Sequence, residues 1–150
     1  MNIANLLARK GARVVTVQPE QTIRQALQLL AEHNIGALVV VDGNARPVGI
    51  LSERDIVRAA VHDETRVFGL TVASIMTRDV VMGVPQDDLT SAGSTMTERR
   101  IRHLPVVEKN RLVGIISIGD IVKAQRDQYQ GEVDTLQTQL IGEQGEKQAS

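Results

Sequence analysis

Gly49-Ile50-Leu51-Ser52-Glu53-Arg54-Asp55-Ile56-Val57 returns later in the chain as Gly114-Ile115-Ile116-Ser117-Ile118-Gly119-Asp120-Ile121-Val122. Each copy is a short apolar run, a polar corner with Ser and Asp three residues apart, and the start of an apolar-periodic segment. That pattern reads as strand, corner, helix. The match extends upstream: Val14-Val15 pairs with Val80-Val81, Pro19 with Pro85, and Ile23, Ala26 and Leu30 with Leu89, Ala92 and Met96. Ile35 pairs with Ile101, and Val40-Val41 with Val106-Val107. The spacing between partners is constant up to the turn at 42–47, which is one residue longer than its counterpart. A length change confined to a turn is what duplicated units tolerate, so the repeat predicts two homologous halves.

Halves of about 50 residues are too small to bury a secure core separately, so they are expected to pack on each other. Phe68 and Tyr129 are the only aromatics, and the core is predicted to be aliphatic. A net charge of −1 gives no case for DNA, RNA or an anionic membrane as partner. The chain has no cysteine, hence no disulfide and no thiolate metal site. No apolar run approaches the ~18 residues of a membrane span, and the N-terminus lacks a signal peptide's apolar segment. A cytoplasmic location is expected.

Along the chain, residues 3–10 read as a short helix ended near Gly11, and Val14–Val17 as a strand stopped by Pro19. Gln21–His33 has helical spacing, and Gly36–Val41, with its three consecutive valines, favours a buried strand. Asp42-Gly43-Asn44 is a turn, Val48–Leu51 the returning strand, and Ser52 opens a helix to about Val61. Residues 62–70 read as an irregular linker, and Val72–Met76 as a helical turn matching the N-terminal one. The second half follows as strand Val80–Met82, helix Asp88–Arg100, strands Leu104–Val107 and Leu112–Ile116, and a helix from Ile118. Each half is thus β-α-β-β-α, a layered α/β (α+β) design. The resulting division is 3–62, a linker at 63–71, 72–125, and a tail at 126–150. Gly93 occupies a core-facing helical position where the first half has Leu27, at a propensity cost of ~1 kcal/mol. In the tail, Tyr129, Val133, Leu136 and Leu140 form a thin apolar stripe. Two readings stand for it: a helix that packs on a partner, or a solvated helix that frays. Disorder is predicted from 142 onward.

The Ser-x-x-Asp corners also carry two readings. The spacing is close to a capping box, in which the serine accepts from a backbone N–H and the acid suits the helix dipole. Capping needs no ligand. The same corner also sets a helix N-terminus, a hydroxyl and a carboxylate at the end of a strand. Free N–H groups there suit a phosphate, and a carboxylate accepts the two hydrogen bonds of a ribose diol.

The β-α-β-β-α repeat, with Gly-hydrophobic-hydrophobic-Ser-x-x-Asp closing each copy and Leu104-Pro105-Val106-Val107 on a middle strand, resembles a tandem pair of CBS domains, a Bateman module, over about residues 3–125. The resemblance is to small stand-alone bacterial proteins of this kind. Similar modules serve as regulatory inserts in IMP dehydrogenase and as the adenylate sensor of AMP-activated protein kinase. The resemblance implies a pseudo-two-fold pair with two clefts between the halves, each taking an adenosine ligand such as AMP, ADP, ATP or S-adenosylmethionine. It implies that Ser52, Arg54 and Asp55 face Thr77, Arg78, Arg102 and His103 in one cleft. In the other, Ser117, Gly119 and Asp120 face Lys10, Gly36 and Ala37. The aspartates would hold ribose. The first cleft is then richer in cations and is expected to fill first with phosphorylated ligands. Arg99 and Arg100 read as the charged end of a helix, while His103 is either a structural histidine or a phosphate contact. The resemblance also implies a homodimer, and a regulated protein partner is the natural reader of ligand occupancy.

Three function classes compete: a regulatory nucleotide-binding module without catalysis, an interaction module whose corners are only caps, and a nucleotide-processing enzyme. His33, His62 and His103 are scattered. The sequence has no Gly-x-x-x-x-Gly-Lys-Ser/Thr loop, His-Glu-x-x-His run or Gly-x-Ser-x-Gly elbow, which weighs against the enzyme.

Overall fold

A computed structural model describes residues 1–149, in the order α1 (Ile3–Lys10), β1 (Thr16–Val17), α2 (Ile23–His33), β2 (Ala37–Val41), β3 (Pro47–Ser52), α3 (Glu53–His62), α4 (Val72–Ile75), α5 (Leu89–Arg99), β4 (His103–Glu108), β5 (Arg111–Ser117) and α6 (Ile118–Ala149). Helix starts follow local chemistry. Thr22 and Gln25 close a reciprocal capping box on α2, Ser52 and Asp55 do so on α3, and Asp88 caps α5. The architecture is mixed α+β, with small sheets covered by helices. In the first half β2 lies between a parallel β1 and an antiparallel β3.

The two sheets are not equal. Instead of the expected strand at 80–82, only Gly83 pairs with Val106, donating its N–H to the Pro105 carbonyl at 2.9 Å and accepting from Val107 N–H at 2.9 Å. The residue equivalent to Val39, which pairs with Thr16, is Pro105. Proline has no N–H to extend the ladder, so the second sheet keeps two strands, β4 and β5. The first strand is also shorter than predicted, confined to Thr16–Val17.

The halves share their cores by exchanging their leading helices. Ile3, Leu6 and Leu7 of α1 are buried with Leu89, Met96, Leu104 and Ile116 of the second half. Val72 of α4 and Met76 just after it are buried with Ile23, Leu38, Leu51 and Ile56 of the first. Backbone bonds pin both crossings: Ile3 N–H to Asp87 O and Ala4 N–H to Pro85 O, each 2.9 Å, and Val72 N–H to Gln21 O at 2.8 Å. Both cores are aliphatic apart from methionine, and Phe68 and Tyr129 are exposed. The linker is less irregular than predicted. Val67, 1% exposed, anchors a 3-10 turn at Val67–Gly69 into the first core.

Helix α6 runs unbroken to Ala149, where disorder was expected from 142; Ser150 of that stretch lies outside the described residues. Gly93 sits inside α5 with Ile121 Cγ2 3.6 Å from where a Cβ would stand. That is ordinary van der Waals contact. Gly93→Ala is therefore expected to stabilise the protein by about 0.4–1 kcal/mol, read as a higher urea midpoint at unchanged slope. A lower midpoint would mean that α5 depends on the missing side chain.

Candidate functional site

Between the halves lies a cleft of about 610 Å³, within the size range of small-molecule sites. The N-terminus of α3 forms its floor. Asp55 accepts from Ser52 N–H at 2.9 Å and Ser52 Oγ–H at 3.1 Å, and Ser52 Oγ accepts from Asp55 N–H at 3.2 Å. Ile50 and Thr77 exchange two backbone bonds of 2.9 Å. This fixes the segment after α4 beside β3 and sets Thr77, Asp79, Val80 and Val81 along one wall. Arg100, Ile101, Arg102 and His103, from the end of α5 and the start of β4, line the same cleft.

The lining of this cleft includes Ser52, Arg54, Asp55, Thr77, Arg102 and His103, which the family resemblance sets together in one cleft. Three assignments change. Arg78 turns away, its guanidinium donating to the Ala73 carbonyl at 3.1 Å, and it is not among the lining residues. Gly36 and Ala37, assigned to the Asp120 cleft, line this one, because the start of β2 abuts the α3 corner and Gly36 O accepts from Glu53 N–H at 3.0 Å. Arg100 is not just a helix end. It adopts a left-handed conformation, φ 55°, as the C-cap of α5, and lines the cleft.

Sequence reasoning also missed Arg58, Asp79 and the apolar wall. Arg58 had a signal, since it stands one helical turn after Arg54 on the same face. The lining has four arginines (Arg54, Arg58, Arg100 and Arg102) against Glu53, Asp55 and Asp79, a net positive charge beside the apolar Ile50, Val57, Val80, Val81 and Ile101. His103 is half-buried. Burial lowers its pKa, Lys10 and Arg102 lower it further, and Asp120 and Glu53 oppose them. The imidazole is thus neutral near pH 7 and feels charges from both corners.

The second corner is already partnered. Asp120 accepts from Ser117 N–H at 2.8 Å, Ser117 Oγ accepts from Asp120 N–H at 3.0 Å, and the Lys10 ammonium lies directly on the Asp120 carboxylate. Gly119 stands in the first turn of α6, where the first half has Arg54, with Ser117 Oγ 3.6 Å from the place of a Cβ. Burial pushes the Asp120 pKa up, but the hydrogen bonds from Lys10 and the Ser117 N–H outweigh it and leave it below the ordinary value. A depressed carboxyl pKa adds stability above the unfolded value of ~3.9, and that stability is lost as pH falls through the folded value. Lys10→Met is expected to cost up to ~1 kcal/mol at pH 7. The gap to wild type should close below about pH 4, as measured by urea midpoints at both pH values. A gap that persists in acid would assign the loss to packing.

Two stretches of the chain, residues 7–62 and 72–127, each match the model of the CBS domain. The chain belongs to the CBS domain family. The CBS domain-containing protein YhcV of Bacillus subtilis is 37% identical over 113 residues, 75% of this chain and 79% of that protein. The crystal structure of the CBS-domain containing protein ATU1752 from Agrobacterium tumefaciens superposes on this CBS pair with a TM-score of 0.80 at 42% identity, covering 83% of this chain and 99% of the other. The CBS domain pair of protein MJ0100, in complex with 5′-methylthioadenosine and S-adenosyl-L-methionine, superposes with a TM-score of 0.75 at 26% identity, covering 85% of this chain and 98% of that one. Among the described residues, no helix is long and apolar enough to cross a membrane.

Proposed function

We propose that this CBS pair is a non-catalytic regulatory sensor of a phosphorylated adenosine, AMP, ADP or ATP, bound first in the Asp55 cleft. The observation that carries the reading is the composition of that cleft: a carboxylate at a helix N-terminus, an apolar wall and four arginines in one cavity. Asp55 suits a ribose diol, Ile50, Val80 and Val81 suit a purine face, and Arg54, Arg58, Arg100 and Arg102 suit phosphate oxygens, which arginine forks engage in bidentate geometry. The adenosine compounds bound by the MJ0100 pair support an adenosine-class ligand. The Asp120 corner is the weaker site, because a ligand there must displace Lys10. S-adenosylmethionine, which brings a cation rather than phosphates, suits the Asp55 cleft less well.

The chain is read as CBS units at 3–62 and 72–125, acting in the cytoplasm as a homodimer that reports occupancy to a protein partner. A second reading is favoured by one observation: both corners are complete as helix caps without any ligand. On that reading the pair is only an interaction module. Calorimetric titration with AMP, ATP and S-adenosylmethionine, on protein stripped of co-purified ligand, separates the two. Binding of a phosphorylated ligand that weakens as salt rises, with NMR shifts at Arg54 and His103 before those at Asp120, supports the sensor. No binding of any of the three supports the interaction module. Equal filling of both corners refutes the assigned order, and hydrolysis of ATP during the titration refutes the non-catalytic reading.

A further inference from the structure

Among the residues of α6 whose burial is described, Ala124 is the last buried one, yet the helix runs on with large apolar side chains in solvent: Tyr129 is 68% exposed, Leu136 59% and Leu140 58%. Their spacing is that of a heptad repeat. Val122, Tyr129 and Leu136 occupy successive d positions, and Val133 and Leu140 successive a positions. We propose that this stripe pairs with the same stripe of a second copy as a parallel, in-register, two-stranded coiled coil projecting from the body.

A stripe repeating every 3.5 residues suits a supercoil, whereas a helix lying on a globular body repeats every 3.6. β-Branched Val133 at a with Leu136 at d is the combination that favours two strands. Arg126 takes the a position below Val133, and one polar residue in the seam fixes register at some cost in stability. The flanks allow this pairing. In parallel register Gln125 meets Gln130 and Glu132 meets Gln137, so no like charges meet across these flanks, and the one like-charge contact in the seam is Arg126 with its own copy. From Ala124 to Ile141 the helix is about 25 Å long. Covering the stripe on both copies removes on the order of 1,000 Å² from water, the lower bound for a specific interface. The pairing is independent of the nucleotide reading, since it involves none of the cleft residues.

The chain contains no cysteine, so single-cysteine variants of the full-length protein report contacts without background. Leu136→Cys faces the seam, and Thr138→Cys, at an outward f position, is the control. Both sites are exposed, so neither substitution disturbs a core. Under mild oxidation at micromolar concentration, Leu136→Cys is expected to form a disulfide dimer at least ten times faster than Thr138→Cys. Equal rates, or no dimer from Leu136→Cys, would overturn the proposal. So would a dimer formed only by mixing Val133→Cys with Leu136→Cys, which would indicate antiparallel helices.

Discussion

Asp55→Ala is expected to weaken AMP or ATP binding by about 1.5–3 kcal/mol, the net worth of a hydrogen bond to a charged group, or roughly ten- to over a hundredfold in Kd. The carboxylate lines the cleft and one of its oxygens, Oδ2, takes both bonds from Ser52. On the proposed reading, the other oxygen is the acceptor for a ribose diol. The substitution also removes half of a capping box, which costs up to about 1 kcal/mol of stability, so affinity must be compared with a variant that keeps the cap. Asp55→Asn retains an acceptor for the Ser52 N–H but loses the charge. Calorimetry should rank wild type, then Asn, then Ala. Equal affinity in all three, with melting temperatures showing folded protein, would leave Asp55 as a cap and nothing more.

Gly49→Ala is expected to destabilise the protein by about 1–3 kcal/mol through overpacking. A Cβ at Gly49 would stand 2.5 Å from Met76 Sδ and 3.1 Å from the Thr77 carbonyl oxygen. The methionine can swing aside, but the carbonyl is held by Ile50 N–H at 2.9 Å. The repeat supplies an internal comparison. At Gly114 the nearest atoms to a Cβ all belong to the Leu7 side chain, its two methyls at 2.8 Å, and a side chain yields more easily than a bonded carbonyl, so Gly114→Ala should cost less. Urea midpoints of the two variants test this order. Because Thr77 lines the cleft, Gly49→Ala should also lower nucleotide affinity, whereas Gly114→Ala should spare it. A Gly49→Ala protein as stable as wild type would mean that α4 crosses β3 with room to spare.

The corners were legible because a capping box is a local code: Ser and Asp three apart ahead of an apolar run fix a helix start wherever they occur. The strand at 80–82 was misjudged because its fate rests with Pro105, a residue on the neighbouring strand. The helix exchange was not legible at all. The pattern at Ile3, Leu6 and Leu7 says that one face is buried, and nothing in it says against which half. Arg100 and Arg78 were misassigned for a related reason. A cation after a helix reads equally as a dipole partner or as a ligand contact, and only the path of the backbone decides. Lys10 was set against Asp120 through the family likeness, and the structure joins the two; the residues alone gave no hint of it.

The exchange of α1 and α4 also sets an order of events during synthesis. The first core can close as soon as Val72 and Met76 emerge, because all its other members precede them. Helix α1 is made first yet has no completed surface to bury Ile3, Leu6 and Leu7 until Ile116 and Ile121 have been translated. Contacts of such long sequence separation form late and slowly. An apolar helix therefore stays exposed on the nascent chain for most of its elongation, and a chain stalled in the linker at 63–71 would hold two unfinished surfaces and no finished one.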